Sequence, residues 1–379
     1  MFLWLLGHTR GRFRFRLTPG PFCGVLAGTG QTGGEASLAA QRKATSFDIA
    51  HLAGVSQPTV SRALRGSPTV SLATRQRIEA IAKQLNYTVD RAASNLRSGH
   101  TRTLALLLFQ DPTPDDTLIN PFFLAMLGSM MRACADHAHD LLVSFQHFSS
   151  DWHADYEDGH RADGLILLGY GDYDDYRARL GQLVEQGTHF IRWGSVQAGE
   201  PGLTVGCDNV GGGEAATRHL LDQGCTRIAF LGDATHHYPE SFDRYRGYAR
   251  ALAERGLAAD PRLQAPAIST EEDGARAAAA LLGAGAPFDG LIAASDLIAL
   301  AAIRVFAAAG LRVPEDVRVV GFDDIPAAGL ANPPLTTVVQ DAGLAGRRLV
   351  ELLLAQIRGE AVESVVLPTR LVVRRSSRV

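Results

Sequence analysis

The stretch Thr45–Arg65, TSFDIAHLAGVSQPTVSRALR, predicts two short helices joined by a tight turn. Thr45 or Ser46 can cap the first helix, because either hydroxyl can accept from the free N–H groups of its opening turn. Gly54 is expected to end that helix, since glycine has no Cβ to clash in a left-handed turn. Ser56 is the predicted cap of the second helix, and the proline behind it falls in the first turn, where a missing N–H is harmless. This layout is that of a helix-turn-helix, whose second helix enters the DNA major groove.

A third amphipathic helix is predicted over residues 70–86, VSLATRQRIEAIAKQLN, with Ser71 as its cap. Its apolar residues and those of the first helix would form a small core: Ile49, Leu52, Ala53, Leu72, Ile78, Ile81, Ala82 and Leu85. An ordinary helical hairpin would show the same spacing, but charge favours DNA binding. Residues 41–102 carry 10 Lys or Arg against 3 Asp or Glu, whereas the whole chain has a net charge of −3. Such a cationic segment attracts phosphate groups by counterion release.

Three segments of this chain stand out: AHLAGVSQPTVSRAL, TRQRIEAIAKQLNY and RAASNLRSGHTRT. In order and spacing they resemble the headpiece and hinge of the LacI/GalR (lactose-repressor) family of bacterial transcription regulators. The resemblance implies base-edge contacts from Gln57, Pro58 and Arg62. It implies phosphate contacts from Thr59, Ser61 and Asn86. Arg and Gln can read a base edge through paired hydrogen bonds. The proline has no side-chain donor, so it can offer a base only an apolar contact, for instance to a thymine methyl.

Residues 91–102 follow the predicted headpiece, which spans 45–90. Their Ala and Leu content suits two helical turns, yet one Leu buries too little surface to hold those turns unaided. By resemblance this segment is a hinge helix that DNA orders, with Leu96 inserted into the minor groove as a wedge. A plain linker would be the alternative for such a segment without the headpiece before it.

The composition is that of a chain with two or three globular units, at 379 residues and 46% hydrophobic. Its four cysteines form no C-x-x-C pair, which is typical of reduced thiols and favours a cytoplasmic protein. No apolar run approaches the roughly 18 residues of a membrane span. Residues 1–44 do not fit the pattern of helices and strands in the rest of the chain, and they lack the regions of a signal peptide. We therefore expect a disordered tail or a wrongly assigned start codon.

No catalytic, cofactor or metal site is predicted. The formal G-x-G-x-x-G at Gly28, Gly30 and Gly33 lacks the strand-turn-helix setting of a dinucleotide site. The histidines, including the pair His236 and His237, have no evident partners at metal-ligand spacing. No Ser/His/Asp or Cys/His set has the sequence context of a catalytic centre, so the chain is not predicted to be an enzyme.

Beyond residue 103, short apolar runs alternate with helical stretches, the pattern of buried parallel strands covered by helices. The predicted strands are 104–109, 141–145, 164–168, 189–193, 227–231, 290–294 and 317–322. The predicted helices are 122–138, 175–187, 211–223, 244–256, 273–283 and 297–310. So long a stretch exceeds one sheet, which predicts an α/β core of two doubly wound lobes behind an all-α headpiece.

The same family resemblance continues through this core, in segments such as RADGLILLG, RYRGYARAL and VRVVGFDDI. It implies the fold of periplasmic binding proteins, with lobes formed by 103–197 with 322–338 and by 198–321 with 339–379. The effector then sits in the cleft between the lobes. Residues 146–163 are short and acidic, so a full helix between two strands is not expected there.

Seven residues are predicted to bind the effector. By resemblance Arg244 reaches into the cleft, where its planar fork suits two vicinal hydroxyls or a carboxylate. Asp296 matches the family aspartate, and it follows a strand at the edge where ligands meet open α/β sheets. Aromatic side chains can stack on a sugar ring. The full predicted set is Phe122, Phe123, Asp172, Trp193, Arg244, Ser269 and Asp296.

These features predict a homodimeric repressor on a pseudo-palindromic DNA operator, released by a small-molecule inducer. An acid-flanked cleft suits neutral hydroxyls better than an anion, so a sugar is the preferred effector. One alternative is a repressor that needs a corepressor such as a purine. Another is a sugar-binding solute receptor, which the basic headpiece disfavours.

Overall fold

The computed structural model describes residues 44–87, 100–109, 119–146, 151–169 and 171–378. The chain divides into two compact units, Met1–Val89 and Asp90–Val379. Most of the predicted tail and hinge, including Leu96, lies outside the described residues, so those predictions stay predictions. Within the described ranges no helix is long and apolar enough to cross a membrane.

The first unit contains the three expected helices: α1 (Ser46–Ala53), α2 (Gln57–Leu64) and α3 (Leu72–Gln84). Thr45 caps α1 through a capping box, in which its backbone N–H donates to the Asp48 carboxylate at 2.7 Å. Gly54 ends α1 at φ 63°, a left-handed conformation that glycine adopts readily. The Ser71 hydroxyl accepts from the first turn of α3 at 3.3 Å.

The core of this unit differs in membership from the one that the spacing of apolar residues predicts. Its buried members are Ile49, Ala50, Ala53, Val60, Ala63, Val70, Ile78 and Ala82. The predicted core positions Leu52 and Leu72 are wrong, since these side chains are 59% and 67% exposed. Leu52 lies at the edge of the stripe centred on Ile49 and Ala53, and Leu72 opens α3 with no earlier turn beside it.

The second unit contains two six-stranded sheets. The first has the order β11-β5-β4-β3-β1-β2 and the second β12-β10-β9-β8-β6-β7. All neighbouring strands are parallel except β10 and β12. The strands are β1 (Thr103–Leu108), β2 (Asp140–Phe145), β3 (Gly164–Leu168), β4 (Phe190–Trp193), β5 (Leu203–Cys207), β6 (Ile228–Leu231), β7 (Gln264–Ala265), β8 (Gly290–Ala293), β9 (Arg318–Asp323), β10 (Thr336–Gln340), β11 (Val365–Leu367) and β12 (Thr369–Val372).

Helices pack against these sheets, and all six predicted core helices are present within a few residues of their expected bounds. The helices are α4 (Pro121–Asp136), α5 (Tyr173–Glu185), α6 (Asn209–Asp222), α7 (Pro239–Glu254), α8 (Glu271–Gly283), α9 (Asp296–Ala308), α10 (Pro326–Leu330) and α11 (Ala342–Ile357). Between β2 and β3 the described residues form only a short π-helix, Ala154–Asp158, and the acidic sequence did predict that a full helix is missing here.

The predicted lobe boundaries are wrong at every crossing. Strand β10 pairs with β9, with Thr336 opposite Val320, so the segment 322–338 belongs to the second lobe. Strand β5 pairs with β4, and β11 pairs with β5, so 203–207 and 365–367 belong to the first lobe. Strands β5 (LTVGC) and β10 (TTVVQ) contain polar residues in place of a continuous apolar run, so the apolar pattern does not predict them. The chain therefore crosses between the lobes after β5, after β10 and between β11 and β12.

Candidate functional site

The predicted DNA-reading residues lie along α2 and at the end of α3. Pro58 and Arg62 are exposed, whereas Gln57, Thr59 and Ser61 are half-buried. In the described part of the chain, no carboxylate oxygen lies within 4.0 Å of the Arg62 guanidinium. An exposed guanidinium outside any ion pair can donate to a base edge without first breaking a salt bridge.

Side-chain contacts hold the first turn of α2 in place. The Gln57 amide donates to the Ser46 hydroxyl of α1 at 3.2 Å, which ties the start of the second helix to the start of the first. Ser56 makes no hydrogen bond to the helix backbone; its hydroxyl lies 2.9 Å from that of Thr59. Asn86, a predicted phosphate contact, is exposed at φ 48°, a conformation that asparagine tolerates.

A cavity of about 340 Å³ lies between the two lobes of the second unit. The strands of both sheets end at it, as expected for a ligand site in open α/β sheets. Strand-end residues at its wall include Phe109, Gly169, Trp193, Ala294, Asp323 and Gln340. Side chains from α4, α7 and the connecting segments complete the wall.

Six of the seven predicted effector residues line this cavity: Phe122, Phe123, Asp172, Trp193, Arg244 and Ser269. Asp296 does not. Its side chain is fully buried and accepts hydrogen bonds from the Thr337 hydroxyl at 2.6 Å and the Ile325 backbone N–H at 2.9 Å. Burial, with the nearby Asp323 carboxylate, raises the pKa of Asp296 well above its usual range. The aspartate therefore joins the beginning of β10 to the segment after β9, behind the cavity wall.

Asp323 is the cavity aspartate that the sequence analysis missed. It ends β9 at φ 120°, a strained conformation for a non-glycine residue. Burial raises the pKa of Asp323 to about 6, although the charge of Arg244 and a 2.6 Å hydrogen bond from Gln340 both act to lower it. The signal was available, since Asp323 directly follows the apolar run 317–322, as Asp296 nearly follows 290–294. Only the fold distinguishes the two.

Arg244 is held from several sides. Its Nε donates to the Asn209 side chain at 2.9 Å, and Nη1 donates to the Ala294 carbonyl. The guanidinium carbon lies 3.9 Å from the centre of the Phe322 ring, and Nη1 lies 3.9 Å from an Asp323 oxygen. The side chain is therefore fixed before any ligand arrives, with donor capacity beside a carboxylate.

Aromatic rings form one wall of the cavity. Phe122 opens α4 after its Asn120 cap, and its ring centre lies 5.6 Å from that of Trp193 and 5.9 Å from that of Phe123. Negative charge exceeds positive charge among the described lining residues, which include the carboxylates of Asp172, Glu240 and Asp323 and the guanidinium of Arg244. Such a lining disfavours an anionic ligand and accepts hydrogen bonds from hydroxyl groups.

Metal-binding and thiol chemistry find little support in the described residues. Asp172, Asp174 and His237 have side-chain ligand atoms within 4.8 Å of one another, but all three are exposed and His237 already pairs with Asp172 at 2.8 Å. Burial raises the pKa of the Cys134 and Cys225 thiols to about 11 and that of Cys207 to about 12, so these thiols are unreactive.

Comparison with known proteins identifies the family. The model of bacterial regulatory proteins of the lacI family matches residues 47–90, and the periplasmic binding protein-like domain matches 217–377. The transcriptional regulator CelR of Thermobifida fusca is 35% identical over 343 residues, which cover 89% of this chain and 99% of that protein. The chain belongs to the LacI family. This LacI-family protein is a DNA-binding transcriptional regulator, as the helix-turn-helix predicted.

Two solved structures resemble this LacI-family regulator along most of its length. A complex of CelR with cellobiose has a TM-score of 0.66 and 34% identity, covering 88% of this chain and 99% of that one. A lac repressor dimer bound to operator and the anti-inducer ONPF has a TM-score of 0.76 and 25% identity, covering 89% and 99%. Both confirm the predicted fold class.

Proposed function

We propose that this regulator is a homodimeric repressor which a neutral sugar releases from a pseudo-palindromic operator. The observation that carries the proposal is the lining of the cavity, where an aromatic wall faces carboxylates and one fixed guanidinium. Sugar rings present apolar faces that stack on aromatic side chains, and their hydroxyls donate to carboxylates and accept from arginine. A carboxylate or phosphate ligand would instead face three like charges.

The predicted mode of release follows from the two-lobed cavity. Lining residues come from α4 and the cap of α5 in the first lobe and from α7 and β9 in the second. A ligand that contacts both lobes therefore stabilises one placement of the lobes relative to each other. We infer that this placement changes the hinge segments at residues 91–102 and lowers operator affinity. The resulting coupling is reciprocal, because operator binding must then weaken sugar binding by the same factor.

Similarity to the CelR–cellobiose complex supports a glucose disaccharide as the first sugar to try. The cavity volume of about 340 Å³ also falls within the range of small-molecule sites. We therefore place cellobiose first in the effector panel, followed by other disaccharides, monosaccharides and, as a contrasting class, purines and nucleosides.

Fluorescence anisotropy of the purified protein tests the proposal. Labelled DNA from upstream of its own and neighbouring genes is titrated at two salt concentrations, with and without each effector. Tight, salt-sensitive binding that one sugar releases is the expected result. Binding that requires an added purine would reverse the sign of the switch, and absence of specific binding under every condition would refute the repressor function.

A further inference from the structure

A histidine and an aspartate join the two lobes at the rim of the effector cavity. Asp172 lines the cavity and caps α5 of the first lobe, while His237 precedes α7 of the second lobe. Nδ1 of His237 lies 2.8 Å from Asp172 Oδ2 and 3.7 Å from Asp174 Oδ2. The Tyr173 backbone N–H also donates to the His237 carbonyl, at 3.1 Å. One residue of the second lobe thus contacts the opening of α5 through both its side chain and its backbone.

We propose that His237 is a proton-operated latch that holds the effector cleft closed. The inference rests on the proposed function, because the latch would set how tightly the sugar is retained. It assigns to His237 a role that the sequence did not suggest, since Asp172 and His237 are far apart in the chain and meet only across the lobes.

The charges around His237 determine the direction of the effect. It faces Asp172 and Asp174 on α5 and Asp233 in the segment after β6. The hydrogen bond with Asp172 raises the pKa of His237, and the same bond lowers the pKa of Asp172. Opening the cleft would separate the pair, so the closed form binds the proton more tightly. Closure is therefore favoured as pH falls towards the ordinary histidine value near 6.5, and the latch is lost above the raised pKa.

Other contacts between the lobes do not share this dependence. The Ser195 backbone N–H donates to Glu240 at 2.9 Å, and the Ser195 hydroxyl donates to Asp243 at 2.6 Å. Neither bond involves a histidine, so the latch adds to contacts that already hold the lobes together. Because His237 and Asp172 are 49% and 43% exposed, water screens the pair, and we expect an effect on effector affinity of about two- to fivefold.

The first test needs no effector. Nitroxide labels at Ala178 on α5 and Ala279 on α8, both exposed, report the distance between the lobes in the full chain. The labelled chain, with Cys23 replaced by serine, is diluted into excess unlabelled protein and measured by pulsed electron resonance at pH 6.5 and 8.5, with EDTA present. We expect the closed population to be larger at pH 6.5.

Three variants make this test specific. His237→Gln keeps a hydrogen-bonding side chain without the charge, so its lobe distances should not change between the two pH values. His237→Arg keeps a permanent cation, so the closed population should persist at pH 8.5. His139→Gln is the control, because this half-buried histidine precedes β2 at the opposite strand ends and should behave as the unmodified protein.

The second test measures cellobiose affinity by calorimetry over pH 6.5–8.5. Affinity should fall about two- to fivefold across this range in the unmodified protein and stay level in His237→Gln. Equal pH dependence in the two proteins, or pH-independent lobe distances, would overturn the latch. Closure that requires added Zn²⁺ would overturn it in favour of a bound metal. Failure of cellobiose and the other sugars to bind, with normal pH-dependent closure, would refute the proposed effector and leave the latch standing.

Discussion

At the scale of single residues, Arg62 and Arg244 separate the two activities expected of this regulator. Arg62 is exposed on α2, outside any ion pair in the described ranges, and belongs to the first unit. Arg244 is buried in the second unit, beside the cavity aspartate Asp323. Substitution of either should therefore remove one activity and spare the other.

Arg62→Ala should lower affinity for the specific operator by about tenfold or more, because a guanidinium paired with a guanine edge discriminates by about 1–3 kcal/mol. Affinity for random DNA should change little. Arg77→Ala removes an equally exposed charge from α3 and serves as the control, expected to weaken both kinds of DNA alike. Anisotropy on specific and random duplexes distinguishes the two, and an equal loss on both for Arg62→Ala would contradict base reading.

Arg244→Ala should bind operator normally but lose its response to the sugar. Removing a charged, hydrogen-bonded donor costs about 1.5–3 kcal/mol, so effector affinity should fall about 10- to 100-fold in calorimetry. Arg250→Ala, an exposed arginine on the same helix, should retain the response. Normal release of Arg244→Ala from DNA would show that the cavity assignment is wrong.

Asp323 should make effector binding dependent on pH. Its pKa is about 6 because burial disfavours the charge, and the ionised carboxylate is the form that accepts from a sugar hydroxyl. As pH falls below about 6 the carboxylate is protonated, so affinity should drop by up to about tenfold per pH unit, opposite in sign to the latch. Calorimetry at pH 5–7 should show this drop, and Asp323→Asn should bind weakly without it. A flat profile in the unmodified protein would exclude Asp323 as an acceptor.

At the scale of elements, glycines bring α6 and α7 into close contact and so position Arg244. A Cβ at Gly213 would lie 2.2 Å from the Arg244 carbonyl oxygen, and one at Gly247 would lie 2.1 Å from the Val210 carbonyl oxygen. Gly213 therefore acts in helix packing, which agrees with the absence of a phosphate-loop lysine after the three glycines at the start of α6.

Gly213→Ala should destabilise the second unit by about 1–3 kcal/mol, because the added methyl group must push α7 away. Effector affinity should fall as well, since the displaced backbone carries Arg244. Gly181→Ala, in α5, is the control: nothing lies within 4 Å of its added Cβ, and the better helix propensity should leave stability equal or slightly higher. Denaturant unfolding measures both, and equal stability of the two variants would contradict the close packing.

At the scale of the whole molecule, charge is divided along the chain. Residues 41–102 hold 10 basic against 3 acidic residues, and residues 103–379 hold 23 against 36. DNA affinity should consequently depend on salt, whereas a neutral sugar displaces no counterions. Because residues 103–379 are acidic overall, we expect that they do not contact DNA phosphates.

Raising salt from 50 to 200 mM should lower operator affinity by about 10³-fold or more if six to ten phosphates are contacted. Cellobiose affinity of the same protein should change by less than about twofold. Anisotropy and calorimetry in matched buffers provide the two values. A steep salt dependence of sugar binding would indicate that the effector is charged, contrary to the proposed function.

The sequence by itself determined the helix-turn-helix and the type of the core. Thr45, Gly54 and Ser71 act on backbone groups within a few residues, so their effects can be read without knowledge of the fold. Apolar periodicity likewise depends on neighbours three or four residues apart, or two apart in a strand. The family resemblance, which the comparisons confirm, pointed to Arg244. In all, six of the seven residues predicted to bind the effector line the cavity.

Only the tertiary structure decided which groups meet across distance. Asp296 and Asp323 both lie at the ends of strands, yet the pairing of β9 with β10 makes Asp296 a buried structural carboxylate and places Asp323 in the cavity wall. Strand pairing also assigned β5 and β10 to their lobes, and lobe closure brought His237 to Asp172. Such contacts depend on the register and placement of elements far apart in the chain, and no local spacing encodes them.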